Sequence, residues 1–143
     1  MVVWAACGKS EAPADAEQTS TQYVAGTTRQ ASPLAQLMLE MTAFADTTRD
    51  RLRNGQELPP FPDHFKEMLT VESTPGMVDH RVYDPFALAY LYAIDSLYKV
   101  PAGARMGVYN AVVQGCANCH GQVCPGPLVR IKKLYGEAGS VAP

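Results

Sequence analysis

The residues best suited to chemistry are two cysteines and a histidine in the run C-A-N-C-H, at Cys116, Cys119 and His120. On a helix, positions i, i+3 and i+4 lie on one face, so both thiols and the imidazole would point in one direction. Two cysteines in this spacing, followed directly by histidine, form the attachment pattern of a c-type haem. The run therefore predicts one covalent haem, held by thioether bonds from Cys116 and Cys119 and ligated on one axial side by His120.

The same side chains allow two alternative interpretations. Redox chemistry of the thioredoxin kind needs the cysteine pair at the start of a helix in a βαβ unit, whereas this pair lies at the end of a predicted helix in a chain without strand signals. A zinc site made of Cys116, Cys119, His120 and Cys124 has ligands of the right kinds. Adjacent Cys119 and His120 are awkward for one tetrahedral centre, so zinc is kept only as an alternative.

The helix that carries the motif is predicted to begin near Ala102. Pro125 is expected to end it, because proline lacks an N–H and disfavours helical geometry at the residue before it. Steps of three and four along this helix define one stripe that faces the core. The stripe consists of Tyr109, Val112, Val113, Cys116, Cys119 and His120. Beyond it, residues 127–135 mix apolar and basic side chains and are expected to fold back as a short turn of helix.

The first strong helix signal begins at Ser32-Pro33, where serine can cap exposed amides and proline fits the first helical position. Asn54-Gly55 is expected to end this helix, because both residues tolerate the left-handed conformation. Apolar residues recur on one face of it. They are Leu34, Leu37, Met38, Met41, Phe44, Ala45 and Leu52.

Two segments between these helices complete the predicted fold. Residues 63–69 suggest a short helix, and residues 70–83 suggest an irregular connection with Thr74-Pro75-Gly76. The next helix is predicted to start at Asp84-Pro85 and to end before Pro101, and it is apolar nearly all round, which indicates burial on more than one side. The predicted fold class is all-α, an antiparallel four-helix bundle with three long helices and one short one.

Length and charge restrict the classes of protein to be considered. The chain has 143 residues and a formal net charge of −2. This length predicts one domain, and this charge does not favour the phosphate-neutralising surface that nucleic-acid binding needs. We therefore expect no nucleic-acid partner.

The N-terminal residues suggest export. The run M-V-V-W-A-A-C-G at residues 1–8 resembles the end of a signal peptide, most of which is missing. We expect a bacterial lipoprotein whose Cys7 is lipidated and anchors the chain to a membrane; the alternative is an apolar tail with a chance cysteine. Residues 1–31 are thus interpreted as a truncated signal and flexible tether, and residues 32–143 as the haem-binding bundle with its basic C-terminal tail.

Beyond the motif, two stretches resemble a known family. Residues 32–38, S-P-L-A-Q-L-M, and residues 124–134, C-P-G-P-L-V-R-I-K-K-L, look like parts of small exported monohaem cytochromes related to cytochrome c′. The resemblance covers roughly residues 32–135. It implies a four-helix bundle with a haem wedged between the helices and the first helix over the distal side. Two departures are Cys124, where the family commonly has a basic residue, and a much shorter second helix, so the family's gas binding does not transfer directly.

The sixth ligand of the iron decides between two functions. By the resemblance, Met38 is the expected distal ligand and Met41 the alternative, although methionine also fills gaps in ordinary cores. Ligation by histidine and methionine leaves no open position and implies an electron carrier that is not an enzyme. An open distal site lined by Leu37, Met41 and Phe44 would instead bind NO or CO. Ligation by His64 is a weaker alternative.

The expected partners follow from these interpretations. A redox partner protein is expected for an electron carrier of the bacterial periplasm or cell envelope, with a small gas ligand (NO or CO) as the alternative. Arg130, Lys132 and Lys133 could pair with haem propionates or steer an acidic partner, although solvated charge is the simpler explanation. For the oligomeric state, a homodimer is kept as an alternative. A third class, a haem-free interaction module, would require the cysteines to remain thiols.

Overall fold

The computed structural model describes residues 30–137. By its internal contacts the chain divides into residues 1–30 and residues 31–143. The second unit is helical without any strand throughout its described residues, which confirms the all-α prediction. Within residues 30–137 no helix combines the length and the apolar character needed to cross a membrane. The expected lipidation of Cys7 falls outside the described residues.

Helix α1 spans Pro33–Arg53 and has the predicted ends. The side chain of Ser32 accepts a hydrogen bond from the N–H of Ala35 at 3.3 Å, which satisfies one of the four donors left exposed at a helix start. Asn54 caps the other end, and Gly55 follows with φ of 64°, the left-handed conformation that glycine adopts without strain. Local capping residues therefore determine the extent of α1.

The predicted short helix is a 3₁₀-helix, Asp63–Leu69. It buries Phe65 and Met68. The ring of Phe65 packs edge-to-face on Phe44 of α1 and on Phe61, with ring centroids 5.5 and 5.8 Å apart. Edge-to-face pairs of this kind stabilise a core by about 0.5–1.5 kcal/mol each beyond their buried area. This aromatic cluster packs the short helix against α1.

Helix α2 spans His80–Lys99, so the start predicted at Asp84-Pro85 is wrong by more than one turn. Asp79 is the actual cap, and its carboxylate accepts a hydrogen bond from the N–H of Arg81 at 3.0 Å. Pro85 lies inside the helix and removes one backbone hydrogen bond. Tyr83 stabilises the first turn of α2, because it is buried and donates to the carbonyl oxygen of Met68 at 2.9 Å.

Helix α3 spans Ala102–Gln122 and follows α2 after only Val100 and Pro101. It ends three residues before Pro125, close to the predicted position. The chain then folds back through a short helix α4, Leu128–Ile131, and a 3₁₀-turn, Lys132–Leu134, as expected for this stretch. We call residues 128–136 the C-terminal segment.

Hydrogen bonds tie the C-terminal segment to α3 and α1. The hydroxyl oxygen of buried Tyr109 in α3 lies 2.9 Å from the carbonyl oxygen of Ala45 and 2.8 Å from that of Leu134, so its one proton is shared between two acceptors. Asn110 and Gly136 form two hydrogen bonds with each other. The side-chain amide of Asn110 donates to the carbonyl oxygen of Gly136 at 2.8 Å, and the N–H of Gly136 donates to the amide oxygen of Asn110 at 2.9 Å. These contacts join residues that lie 25 to 64 positions apart in the chain.

Replacing Tyr109 by phenylalanine tests this junction. The change keeps the ring and leaves two carbonyl oxygens without the hydroxyl donor, so we expect the free energy of unfolding to fall by about 1–3 kcal/mol. The measurement is denaturant unfolding followed by circular dichroism. Tyr135→Phe is the matched control, because the Tyr135 hydroxyl bonds only the exposed side chain of Gln114. Equal stability of both variants would contradict the proposed importance of the Tyr109 hydroxyl.

Candidate cofactor site

A large cavity lies among α1, α2, α3 and the C-terminal segment, with a volume of about 740 Å³. This size falls within the range typical of cofactor sites. Helix α3 contributes the whole stripe predicted from its sequence, Tyr109, Val112, Val113, Cys116, Cys119 and His120. The stripe therefore faces one shared space.

The three motif side chains reach the cavity from the last two turns of α3. Cys116, Cys119 and His120 all line it, as their i, i+3 and i+4 spacing requires. At the end of this helix the N–H of Val123 donates to the carbonyl oxygen of Cys119 at 2.9 Å, and the N–H of Cys124 donates to that of His120 at 3.2 Å. The thiols and the imidazole are thus brought together by one continuous helix.

The imidazole of His120 is oriented by the backbone. Its Nδ1 lies 2.9 Å from the carbonyl oxygen of Cys124. A carbonyl can only accept, so Nδ1 carries the proton and donates, which leaves Nε2 as the nitrogen with a free lone pair. This is the arrangement in which a histidine ligates a metal through Nε2.

Burial raises the pKa values of two thiols and two phenols that line the cavity. It raises the pKa of the Cys116 thiol to about 11, with a smaller contribution from the neighbouring Cys119. Burial likewise raises the pKa values of Cys119, Tyr83 and Tyr90. At neutral pH these thiols and phenols are protonated, which suits a largely apolar occupant.

Helix α1 supplies the wall that the sequence analysis assigned to the distal side. Met38, Met41 and Phe44 line the cavity together with the motif. Met41 is buried, whereas Met38 is half-buried and packs against the core. Leu37, expected to line an open distal site, is buried in the core and is not part of the cavity wall. Both candidate methionines therefore share one space with His120.

The other histidines lie away from this space. Nε2 of His64 is 2.7 Å from a carboxylate oxygen of Glu40, and both side chains are about half exposed. His80 pairs with Asp84 at 2.8 Å at the start of α2. Neither histidine lines the cavity, so the structure does not bring the alternative ligand His64 to His120.

Cys124 lines the cavity without completing a metal cluster. Within residues 30–137 no group of three or more His, Cys, Asp or Glu side chains is arranged to hold a metal ion. The alternative zinc site of Cys116, Cys119, His120 and Cys124 thus gains no support from the arrangement of these residues. Cys124 bonds His120 through its backbone: its carbonyl oxygen to Nδ1 of the ring, and its N–H to the carbonyl oxygen of His120.

The mouth of the cavity combines apolar and basic side chains. Leu39, Met77 and Val129 line it and are exposed, Val129 by 71%. Arg130 and Lys133 also line the cavity, whereas Lys132 is exposed and is not part of the wall. Two of the three predicted basic residues are therefore close enough to meet a charged group at the mouth.

Sequence reasoning missed the part of the wall that α2 and the loop before it contribute, including two tyrosines. Tyr83 and Tyr90 of α2 both line the cavity. Tyr83 was assigned to the irregular connection 70–83, and the periodicity of the next helix indicated only that Tyr90 is buried. The tertiary packing reveals that both face the same space as the motif. A tyrosine within an otherwise apolar helix face was the available signal, because its hydroxyl needs a partner when buried.

Comparison with models of protein families, with curated proteins and with solved structures finds no match for this chain.

The raised pKa of Cys116 predicts slow alkylation in the folded, haem-free protein. A pKa of about 11 instead of 9 leaves about 100-fold less thiolate at pH 8. We expect iodoacetamide to modify Cys116 at least tenfold more slowly in native buffer than in urea, as measured by mass spectrometry of the Cys116 peptide. The urea-unfolded chain is the control, and equal rates in the two states would contradict the burial of this thiol.

Proposed function

We propose that this protein is a c-type cytochrome with one covalent haem that transfers single electrons in the bacterial cell envelope. The observation that carries the proposal is that Cys116, Cys119 and His120 line one largely apolar cavity. The donor set fits the group: two neutral thiols and an imidazole whose Nδ1 is already hydrogen-bonded. The three side chains would hold the haem through two thioethers and one bond from Nε2 to iron.

We also propose the finer architecture implied by the resemblance to cytochrome c′, an antiparallel four-helix bundle. The direct connection between α2 and α3 and the Tyr109 bridge from α3 to α1 support it. The 3₁₀-helix Asp63–Leu69 would occupy the place of the second helix. The bundle would be incomplete on that side, where the chain between α1 and α2 is mostly loop.

The residues of this chain would have three roles in such a cytochrome. A bound haem supplies a one-electron redox couple, tuned by its axial ligands and its surroundings. Cys116 and Cys119 fix the position of the group, since each thiol can add across a vinyl group with its proton going to the neighbouring carbon. His120 would supply its Nε2 as a ligand to the iron. The side chains of α1 and α2 that line the cavity would shield the group from water.

The sixth position separates electron transfer from gas binding. We propose Met38 as the axial sulfur, with Met41 as the alternative, because both line the cavity opposite the motif helix. A thioether ligand stabilises reduced iron and closes the site to substrates. A five-coordinate protein that binds NO or CO is the second candidate, favoured only by the wall of apolar side chains that would surround a free position.

Cellular location and partners complete the proposal. Export, with or without a lipid on Cys7, would provide the compartment in which haem attachment takes place. The exposed apolar side chains of Leu39, Met77 and Val129 at the mouth, with Arg130 and Lys133 among them, would suit contact with an acidic redox protein.

Attachment is tested by expressing the chain with a haem-attachment system. We expect a coloured protein whose mass increases by one haem and whose haem survives acid–acetone extraction. Cys116→Ala and Cys119→Ala should each lose one thioether, and the double variant should release its haem. Cys124→Ala is the matched control, because this third cysteine lines the cavity outside the motif. A colourless wild-type protein without added mass would overturn the proposed function.

Axial ligation is tested separately in the loaded protein. Ferric iron should be low-spin in the wild type and high-spin in Met38→Leu, as read by electron paramagnetic resonance, because leucine has no sulfur to donate. Met41→Leu is the control and should remain low-spin. Conversion by Met41→Leu alone would assign the ligand to Met41, and a wild type that is already high-spin would favour the gas-binding candidate.

A further inference from the structure

Tyr90 differs from the other enclosed tyrosines of the described chain. Tyr83, Tyr98 and Tyr109 donate their hydroxyls to backbone carbonyl oxygens at 2.6 to 2.9 Å. Tyr135 donates to the side chain of Gln114 at 2.7 Å. Within residues 30–137 the hydroxyl of Tyr90 makes no such bond, although the residue is only 9% exposed. A buried tyrosine hydroxyl normally finds a partner, so this exception calls for a physical explanation.

Tyr90 lines the cavity that holds the motif side chains. Among the described residues, the only enclosed side-chain polar atom that lacks both a partner and any accessible surface is Nε of Arg105. The Tyr90 oxygen therefore retains accessible surface, and the space that Tyr90 lines is the cavity of Cys116 and His120. Helix α2 lines this cavity with Tyr83, Tyr90 and Ile94, and the hydroxyl of Tyr83 already donates to Met68.

We propose that the Tyr90 hydroxyl donates a hydrogen bond to an oxygen atom of the group bound in the cavity, and so acts as a positioning residue for it. The inference rests on the proposed function, because a bound haem introduces the acceptor. The oxygen has two sources with the same chemistry, a haem carboxylate or a ligand on the iron. Both accept from a phenol.

The protonation state and the surroundings agree with a donor. Burial raises the pKa of Tyr90, so the phenol keeps its proton over the whole physiological range. The nearby phenols do not compete for the same acceptor, because Tyr98 and Tyr109 already donate to backbone oxygens. The thiol of Cys116 is also close to Tyr90, but a thiol sulfur is only a weak acceptor.

The test compares Tyr90→Phe with Tyr98→Phe in the haem-loaded protein. Both changes remove one oxygen and keep the ring. Loss of a donor to a haem carboxylate should lower the midpoint potential, because the less compensated negative charge stabilises ferric iron, and should shift the carboxylate bending band in resonance Raman spectra. Tyr98→Phe should lower the unfolding temperature by freeing the carbonyl of Pro59, and leave both readings unchanged.

A second measurement tests whether the acceptor is a ligand on the iron rather than a haem carboxylate. In a Met38→Leu background, the ferrous protein is saturated with CO, and Tyr90→Phe should raise the C–O stretching frequency if the hydroxyl donates to an iron-bound ligand. Unchanged readings in both arms would overturn the assignment of Tyr90. Haem content is measured in every sample as the pyridine haemochrome, so a chain that lacks haem contradicts the proposed function, whereas a loaded chain with no Tyr90 effect contradicts this inference alone.

Discussion

The end of helix α3 is the constraint on which the rest of the site depends. Two thiols and an imidazole face one way only while residues 116–120 stay helical, and the helix closes at Gln122. The turn that follows returns the carbonyl of Cys124 to within 2.9 Å of Nδ1 of His120. A hydrogen bond of this kind contributes about 0.5–1.5 kcal/mol net, enough to favour one ring orientation and one tautomer. The site is therefore organised by backbone geometry before any ligand is considered.

A second constraint holds the walls around that helix end. Tyr109 sits one to two turns before the motif on the same stripe and bonds both α1 and the C-terminal segment. The guanidinium of Arg49 in α1 adds a bond to the carbonyl of Lys133 at 2.9 Å. These contacts set the separation between the methionines of α1 and the motif of α3. The cavity is thus a consequence of long-range hydrogen bonds as much as of apolar packing.

Local signals allowed the motif, the ends of α1 and the stripe of α3 to be predicted, because each depends on residues within a few positions of one another. Ser32 caps α1 as its type suggests. The start of α2 was predicted wrongly because two cap-like aspartates compete: Asp79 caps the helix, and the turn before Pro85 is packed into the core through Tyr83 and its bond to distant Met68. The free hydroxyl of Tyr90 was beyond prediction, since periodicity indicates burial and cannot reveal a missing partner.

The charges around the cavity favour a carrier of relatively high potential, if the proposed haem is present. Oxidation adds positive charge to the iron, and a largely apolar wall with protonated phenols solvates that charge poorly. Arg130 and Lys133 line the same cavity, and their positive charges disfavour oxidised iron further. A thioether from Met38 would act in the same direction, because sulfur prefers reduced iron. All three effects stabilise the ferrous state, so axial ligation and the protein environment would work together rather than compensate for each other.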